Sequence, residues 1–214
     1  MSFDPITLAL ALALLALVPI LVVVCTCFLK ISVVMSLLRN ALGVQQIPPN
    51  MALYGMSLIL TLYVMAPVGQ KMYESIREQP QSLSSLDAFL SGAQKGSEPL
   101  RAFLYKHSKP EQRAFFVRTA KRLWPPEMAA KVRNDDFLVL VPAFVIAELT
   151  TAFEVGFLLY LPFLVIDLVV SNILLAMGMM MVSPVTISLP LKLFLFVMVD
   201  GWTRLIQGLV LTYV

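Results

Sequence analysis

The chain has 214 residues, of which 59% are hydrophobic and 14% charged, with a mean hydropathy of +0.84. Soluble domains are about 45–50% apolar and about 25% charged, so these figures exclude an ordinary soluble domain and indicate an integral membrane protein. A net charge of +3 is too small to suggest a nucleic-acid partner. Twelve of the 16 Lys/Arg and eight of the 13 Asp/Glu fall between Gln70 and Asp136. The chain therefore divides into an apolar region (1–69), a polar insert (70–136) and a second apolar region (137–214).

The first apolar run, Ile6 to Leu29, has no Lys or Arg before it. It exceeds the roughly 7–15 residues of a secretory h-region, so it reads as a retained span rather than a cleaved signal. The pattern allows the helix to continue through "KISVVMSLLRNALG", with Lys30 and Arg39 beyond the apolar core and Gly43 at a helix C′ position. Cys25 and Cys27 lie inside this run, but residues i and i+2 of a helix point in different directions. Packing of small side chains is the better reading than a soft-metal site.

"QQIPPN" forms a turn, with Asn50 as the expected N-cap of a second span, Met51 to Pro67. The insert then opens with the Ser-rich "EQPQSLSSLD", expected to be mobile. Two amphipathic patterns follow. Leu100, Phe103 and Leu104 share one face, and Phe116, Ala120, Leu123 and Trp124 share another. Ser108 and Glu111 have capping-box spacing. Arg118, Lys121 and Arg122 form a basic cluster opposite the apolar face, which reads first as a solvated helix surface.

From Phe137 to Met177 the chain is apolar for a length of about 60 Å if helical, about twice the hydrocarbon thickness. The pattern predicts a break near Gly156 and Pro162, or a helix lying largely outside lipid. Pro184 and Pro190 bracket "VTISL", which is not expected to be ordinary helix interior. Leu191 to Tyr213 reads as a last helix. The C-terminal region is thus a second helical hairpin, with a tip at 177–190 that contains "MGMMMVSP". Lys30 and Arg39 orient the first hairpin's turn towards the cytoplasm, which puts the insert and both termini on the extracytoplasmic side.

Glu148, Glu154 and Asp167 interrupt the long apolar region, where ionisable side chains are costly and usually functional. At about 100° per residue they point in three directions, which argues against one proton pathway. Pairing at separate helix interfaces fits better, with Lys192 or Arg204 as partners, and Asp200 and Arg204 have i,i+4 spacing. His107 has no Cys or His at metal-ligand spacing, and no P-loop, nucleophile elbow or HExxH occurs. Ser183 and Asp167 lack a visible base partner, so the expectation is a non-enzyme without a cofactor or metal. The methionine tip alone leaves three readings open: a Cu(I) transporter's thioether site, plain lipid-facing packing, or a purely structural scaffold.

"RNALGVQQIPPNMALYGMSLILTLYVMAPV" and "TAFEVGFLLYLPFLVIDLVVSNILLAMGMMMVSPVTISLPLKLFLFVMVDGW" resemble the FliP/SctR family, the core export-gate components of flagellar and virulence type III secretion systems. The uncleaved N-terminus, and Ser183-Pro184 where flagellar members tend to carry Pro-Pro, lean towards the virulence-type SctR branch.

The resemblance implies an all-α protein of two long helical hairpins with a small helical insert, assembling into a helical conical ring. Five copies would join two other small subunits, FliQ/SctS-like and FliR/SctT-like, within the inner-membrane secretion basal body. The export switch protein, inner rod or needle subunits and unfolded secreted proteins would be further partners. Met177, Met179, Met180 and Met181 match the family's methionine gasket, with Gly178, Ser183, Pro184 and Pro190 shaping the loop. Glu148, Glu154, Asp167, Lys192, Asp200 and Arg204 would pair across subunits.

Overall fold

The computed structural model describes residues 5–44, 46–77 and 92–214, and every regular element among them is helical. The Ser-rich opening of the insert, "EQPQSLSSLD", lies outside the described residues. The named helices are α1 (Pro5–Cys25), α2 (Phe28–Leu42), α3 (Asn50–Arg77), α4 (Glu98–His107), α5 (Pro110–Leu123), α6 (Pro126–Ala129), α7 (Phe137–Ala176), α8 (Pro184–Met198) and α9 (Gly201–Leu211). Helices α3 and α7 are long and apolar enough to cross a membrane. Counting the broken pairs α1/α2 and α8/α9 as single spans raises the number to four.

Contacts group the chain into two compact units, Met1–Leu29 with Thr61–Glu148, and Lys30–Leu60 with Leu149–Val214. In the first unit the insert packs on the opening turns of α7. Phe103 stacks at a tilt on Phe144, with 5.7 Å between ring centroids. Ala120, Val132 and Val139 form a small core against Phe116, Val117 and Trp124. The α5 pattern is thus correct for Phe116, Ala120 and Trp124, but Leu123 is 74% exposed at the helix end.

The expected capping box does not form. Lys109 holds the N-cap position of α5 without a side-chain hydrogen bond. Instead, the buried Arg113 guanidinium donates from Nη1 to the carbonyls of Tyr105 (2.8 Å) and Ser108 (2.5 Å) and to the Ser108 hydroxyl (2.9 Å). A single charged guanidinium nitrogen thus satisfies the carbonyls at the end of α4, which a hydroxyl with one O–H cannot do.

The second unit has its core along α2, where Ile31, Val34, Met35 and Leu38 are fully buried. The first apolar run is not one continuous helix. It breaks at Thr26 and Cys27, where the Thr26 hydroxyl donates back to the Val22 carbonyl and accepts from the Phe28 N–H. Lys30, placed beyond the apolar core by the sequence reading, is 3% exposed, and its ammonium sits 3.7 Å from the Tyr213 ring centroid. Burial of a lysine stem with the charge over an aromatic face satisfies both ends of the side chain. Cys25 and Cys27 are both buried and form no disulfide, as small packing residues should be.

At the α2–α3 turn, Gly43 takes the left-handed conformation at φ +76° expected of a C′ glycine. Asn50 is the first helical residue of α3 rather than its N-cap. Its Oδ1 accepts from Arg39 Nη1 at 2.6 Å, which ties the two helices across the turn. Helix α3 also runs ten residues past Pro67, to Arg77. A proline removes one backbone donor, and the flanking turns here carry the helix through it.

Helix α7 is unbroken for 40 residues, about 60 Å at ~1.5 Å per residue. Gly156 is not a break but a contact, since a Cβ there would collide with the Leu37 side chain. Small residues at such positions let helix backbones approach closely. The break falls instead between α8 and α9, which are bent by 62°. Asp200 sits there in the left-handed region at φ +53°, so the predicted helix Leu191 to Tyr213 is two helices.

Candidate functional site

The tip between α7 and α8 is built by a helix-stop of defined hydrogen bonding. Gly178 has φ +73°. Its N–H donates to the Leu175 carbonyl at 3.0 Å, and the Met179 N–H donates to the Leu174 carbonyl at 2.9 Å. This 5→2 and 6→1 pair is a Schellman motif, in which the left-handed residue is nearly always glycine because it has no Cβ to clash. It ends α7 and turns the chain by satisfying carbonyls that would otherwise be orphaned. On the other side Ser183 holds the N-cap position and Pro184 opens α8, where its missing N–H costs nothing.

Between these stops the methionines are turned outwards. Met177 is 65% exposed, Met179 41%, Met180 81%, and Met181 is fully exposed. Pro190 does not shape the loop: "VTISL" is helical, and α8 continues through Pro190 to Met198. A proline seven residues into a helix removes one internal hydrogen bond, which the remaining ladder and packing offset here.

Below the tip, α7 and α8 are joined by an ion pair. Lys192 Nζ lies 2.6 Å from Asp167 Oδ2 and donates also to the Ala41 carbonyl at 3.3 Å. The Lys192 side chain is 6% exposed, whereas that of Asp167 is 41% exposed and its Oδ1 has no hydrogen-bond partner among the described residues. Lys192 thus joins α7, α8 and the end of α2 within one chain. The sequence named the lysine and the aspartate but gave no signal for the Ala41 carbonyl.

The other charged residues separate. Glu148 is 3% exposed. Glu154 is exposed. Asp200 and Arg204 make no side-chain ion pair among the described residues. The Asp200 carboxylate accepts instead from the Thr203 hydroxyl, and only its backbone carbonyl meets the Arg204 N–H. Their i,i+4 spacing assumes a helical Asp200, and its left-handed conformation at the α8–α9 break removes that geometry. Arg204 lines an apolar groove of about 390 Å³ with Val155, Leu159, Phe163, Leu195 and Phe196.

A methionine tip on a 40-residue apolar helix, with a lysine clasp beneath it, is accompanied by similarity along most of the chain. The FliP family model matches residues 11–209. The chain belongs to the FliP family. Among curated relatives, Yop proteins translocation protein R of Yersinia pestis is 57% identical over 188 residues, which is 88% of this chain and 87% of that protein. Harpin secretion protein HrcR of Erwinia amylovora is 51% identical over 212 residues, covering 99% and 98% of the two chains. Virulence protein YscR of Salmonella typhimurium is 48% identical over 189 residues, or 88% and 87%. Within the FliP family this chain is therefore of the virulence, SctR, type, as the Ser183-Pro184 pair suggested. The two stretches that carry the resemblance include the α2–α3 turn and the α7 tip.

Proposed function

We propose that this chain is a core membrane subunit of a type III secretion export gate, and that its α7 tip forms a methionine gasket. A part in the type III export apparatus is supported by family membership and by relatives named for translocation, harpin secretion and virulence. The observation that carries the gasket is the tip itself: four outward methionines held between a Schellman stop and a proline start.

The physical demand is specific. An export pore must pass unfolded chains of any sequence and still hold back ions when idle. Rigid small side chains leave gaps, and aromatic rings obstruct passage. Methionine is unbranched, with three rotatable bonds and a polarizable sulfur, so a cluster packs on itself and yields to varied surfaces. An apolar constriction also stops ions by dewetting. Repeated around a ring of five copies, Met177, Met179, Met180 and Met181 close such a constriction.

In this reading the ring lies in the bacterial inner membrane within the secretion basal body, with the insert and termini on the periplasmic side. FliQ/SctS-like and FliR/SctT-like subunits complete it. The export switch protein and the inner rod or needle dock on it, and unfolded secreted proteins pass through it. Helix α7 is too long for one bilayer crossing because much of it is enclosed by protein. No catalytic residue, metal or cofactor has a part in the mechanism.

The test uses a strain lacking this chain, complemented by the wild type or by Met179→Ala, Met180→Ala, Met181→Ala together. Wild type should restore secretion, and the triple variant should assemble but leak ions. An unchanged leak in an assembled complex would refute the gasket, and a coincident loss of copper tolerance would assign the thioethers to a metal.

A further inference from the structure

Two exposed charges in the second compact unit stand unpaired on apolar surfaces. Glu154 lies on α7 among Phe153, Phe157, Leu158 and Leu161, all exposed. Arg204 lies exposed in the groove lined by α7, α8 and α9, and among the described residues it is the only charged side chain there. Neither side chain has an ion pair or hydrogen bond within the chain among the described residues. A carboxylate or guanidinium on an apolar face is costly once that face is covered, so each calls for an external partner of opposite sign.

The two surfaces face different ways. At about 100° per residue, the groove side of α7 (Val155, Leu159, Pro162, Phe163) lies roughly 120–150° around the helix from the Glu154 side. Two complementary patches on different faces of one chain cannot satisfy each other in that chain. They also make no two-fold self-complementary contact. They give a heterologous interface, which repeats from copy to copy into a ring or a helix.

We propose that Glu154 of one copy pairs with Arg204 of the neighbouring copy, seating the Phe153–Leu161 face of the first α7 in the apolar groove of the second. The occupant of the groove is thus a second copy of this chain. The inference rests on the reading of the chain as a ring-forming export subunit and adds the contact that joins the copies. The groove walls are almost wholly apolar, so the pair is desolvated when the copies meet. A desolvated pair between two surfaces sets register and direction more strongly than a rim charge would. Asp200 and Thr203 satisfy one another beside it, which leaves Arg204 free to face outwards.

The experiment uses the full chain, expressed in two differently tagged copies in a strain carrying the rest of the apparatus. Glu154→Arg alone, or Arg204→Glu alone, should lower co-purification of the two tags about tenfold or more, since each creates a like-charge contact in a desolvated site. The double variant E154R/R204E restores the pair in reversed sense and should return co-purification to near wild type. A variant that simply fails to fold would not be rescued by a second reversal. In a Cys25→Ala, Cys27→Ala background, Glu154→Cys in one tagged copy should cross-link through a short bis-maleimide to Arg204→Cys in the other.

Four outcomes overturn the proposal: single reversals without effect, no rescue in the double variant, cross-linking of Arg204→Cys to a different subunit only, or loss of bound anionic lipid on Arg204→Glu with copy-copy association intact. The secretion reading fails separately, if the wild-type chain does not restore export to the deletion strain.

Discussion

Removing the Asp167 carboxylate should harm the protein more than removing the Lys192 ammonium, although they are two halves of one ion pair. The asymmetry comes from burial: 6% exposure for the lysine side chain against 41% for the aspartate. In Asp167→Ala the ammonium stays buried with only the Ala41 carbonyl at 3.3 Å to receive it. Breaking a buried pair from one side costs about 3–5 kcal/mol, and partial exposure of the pair places this case at about 3 kcal/mol. In Lys192→Met the remaining carboxylate has solvent or headgroup access, and a similarly shaped apolar stem fills the site, so the cost falls to about 1 kcal/mol. The double variant Asp167→Ala, Lys192→Met should lie within about 1 kcal/mol of wild type, a coupling of about 3 kcal/mol.

The assay is reversible unfolding of the purified chain in mixed detergent micelles, followed by helix content. At ~1.4 kcal/mol per factor of ten, Asp167→Ala should shift the unfolding equilibrium about a hundredfold. Equal costs for the two single variants, or strict additivity in the double, would show that burial of Lys192 is not what makes the clasp matter.

Gly178→Ala adds no steric contact, because nothing lies within 4 Å of the added Cβ, but it forces alanine to φ +73°. It should cost about 1–2 kcal/mol, with Gly178→Asn costing less, read from thermal unfolding and from ion leak at the tip. Gly156→Ala pushes a methyl into Leu37 and should cost about 1–3 kcal/mol, partly recovered by Leu37→Ala in the same chain. Arg113→Ala removes three hydrogen bonds from one buried cation and should lower stability by about 2–3 kcal/mol. Arg113→Lys should recover only part of it, because an ammonium lacks the planar group that lies 3.9 Å from the Tyr105 ring centroid. Limited proteolysis of the insert measures both.

The elements most legible in the sequence were those set by local chemistry. The apolar run from Phe137 marked a helical region and left open whether it breaks near Gly156 and Pro162, while Gly43 marked a left-handed helix stop, because no other residue takes a positive φ as readily. The methionine tip was legible as composition alone. The prolines were misleading. Pro67, Pro162 and Pro190 all lie inside helices, since each removes only one hydrogen bond from a ladder that packing otherwise supports. The reverse error came at Thr26 and Asp200, where unremarkable residues end helices through side-chain hydrogen bonding and a left-handed backbone.

What the amino-acid sequence determined by itself was therefore the class of the protein, its apolar and polar segments, its family and the methionine-rich tip, all properties of composition or of a few consecutive residues. What only the tertiary structure decided was which distant groups meet. Lys192 reaches back across the chain to Ala41, Lys30 lies on Tyr213, and Leu37 fills the notch at Gly156. Arg204, spaced to pair with Asp200, turns into a groove instead. These outcomes depend on how helices stack and where they bend, and a charge in an apolar chain takes the partner that packing brings within reach.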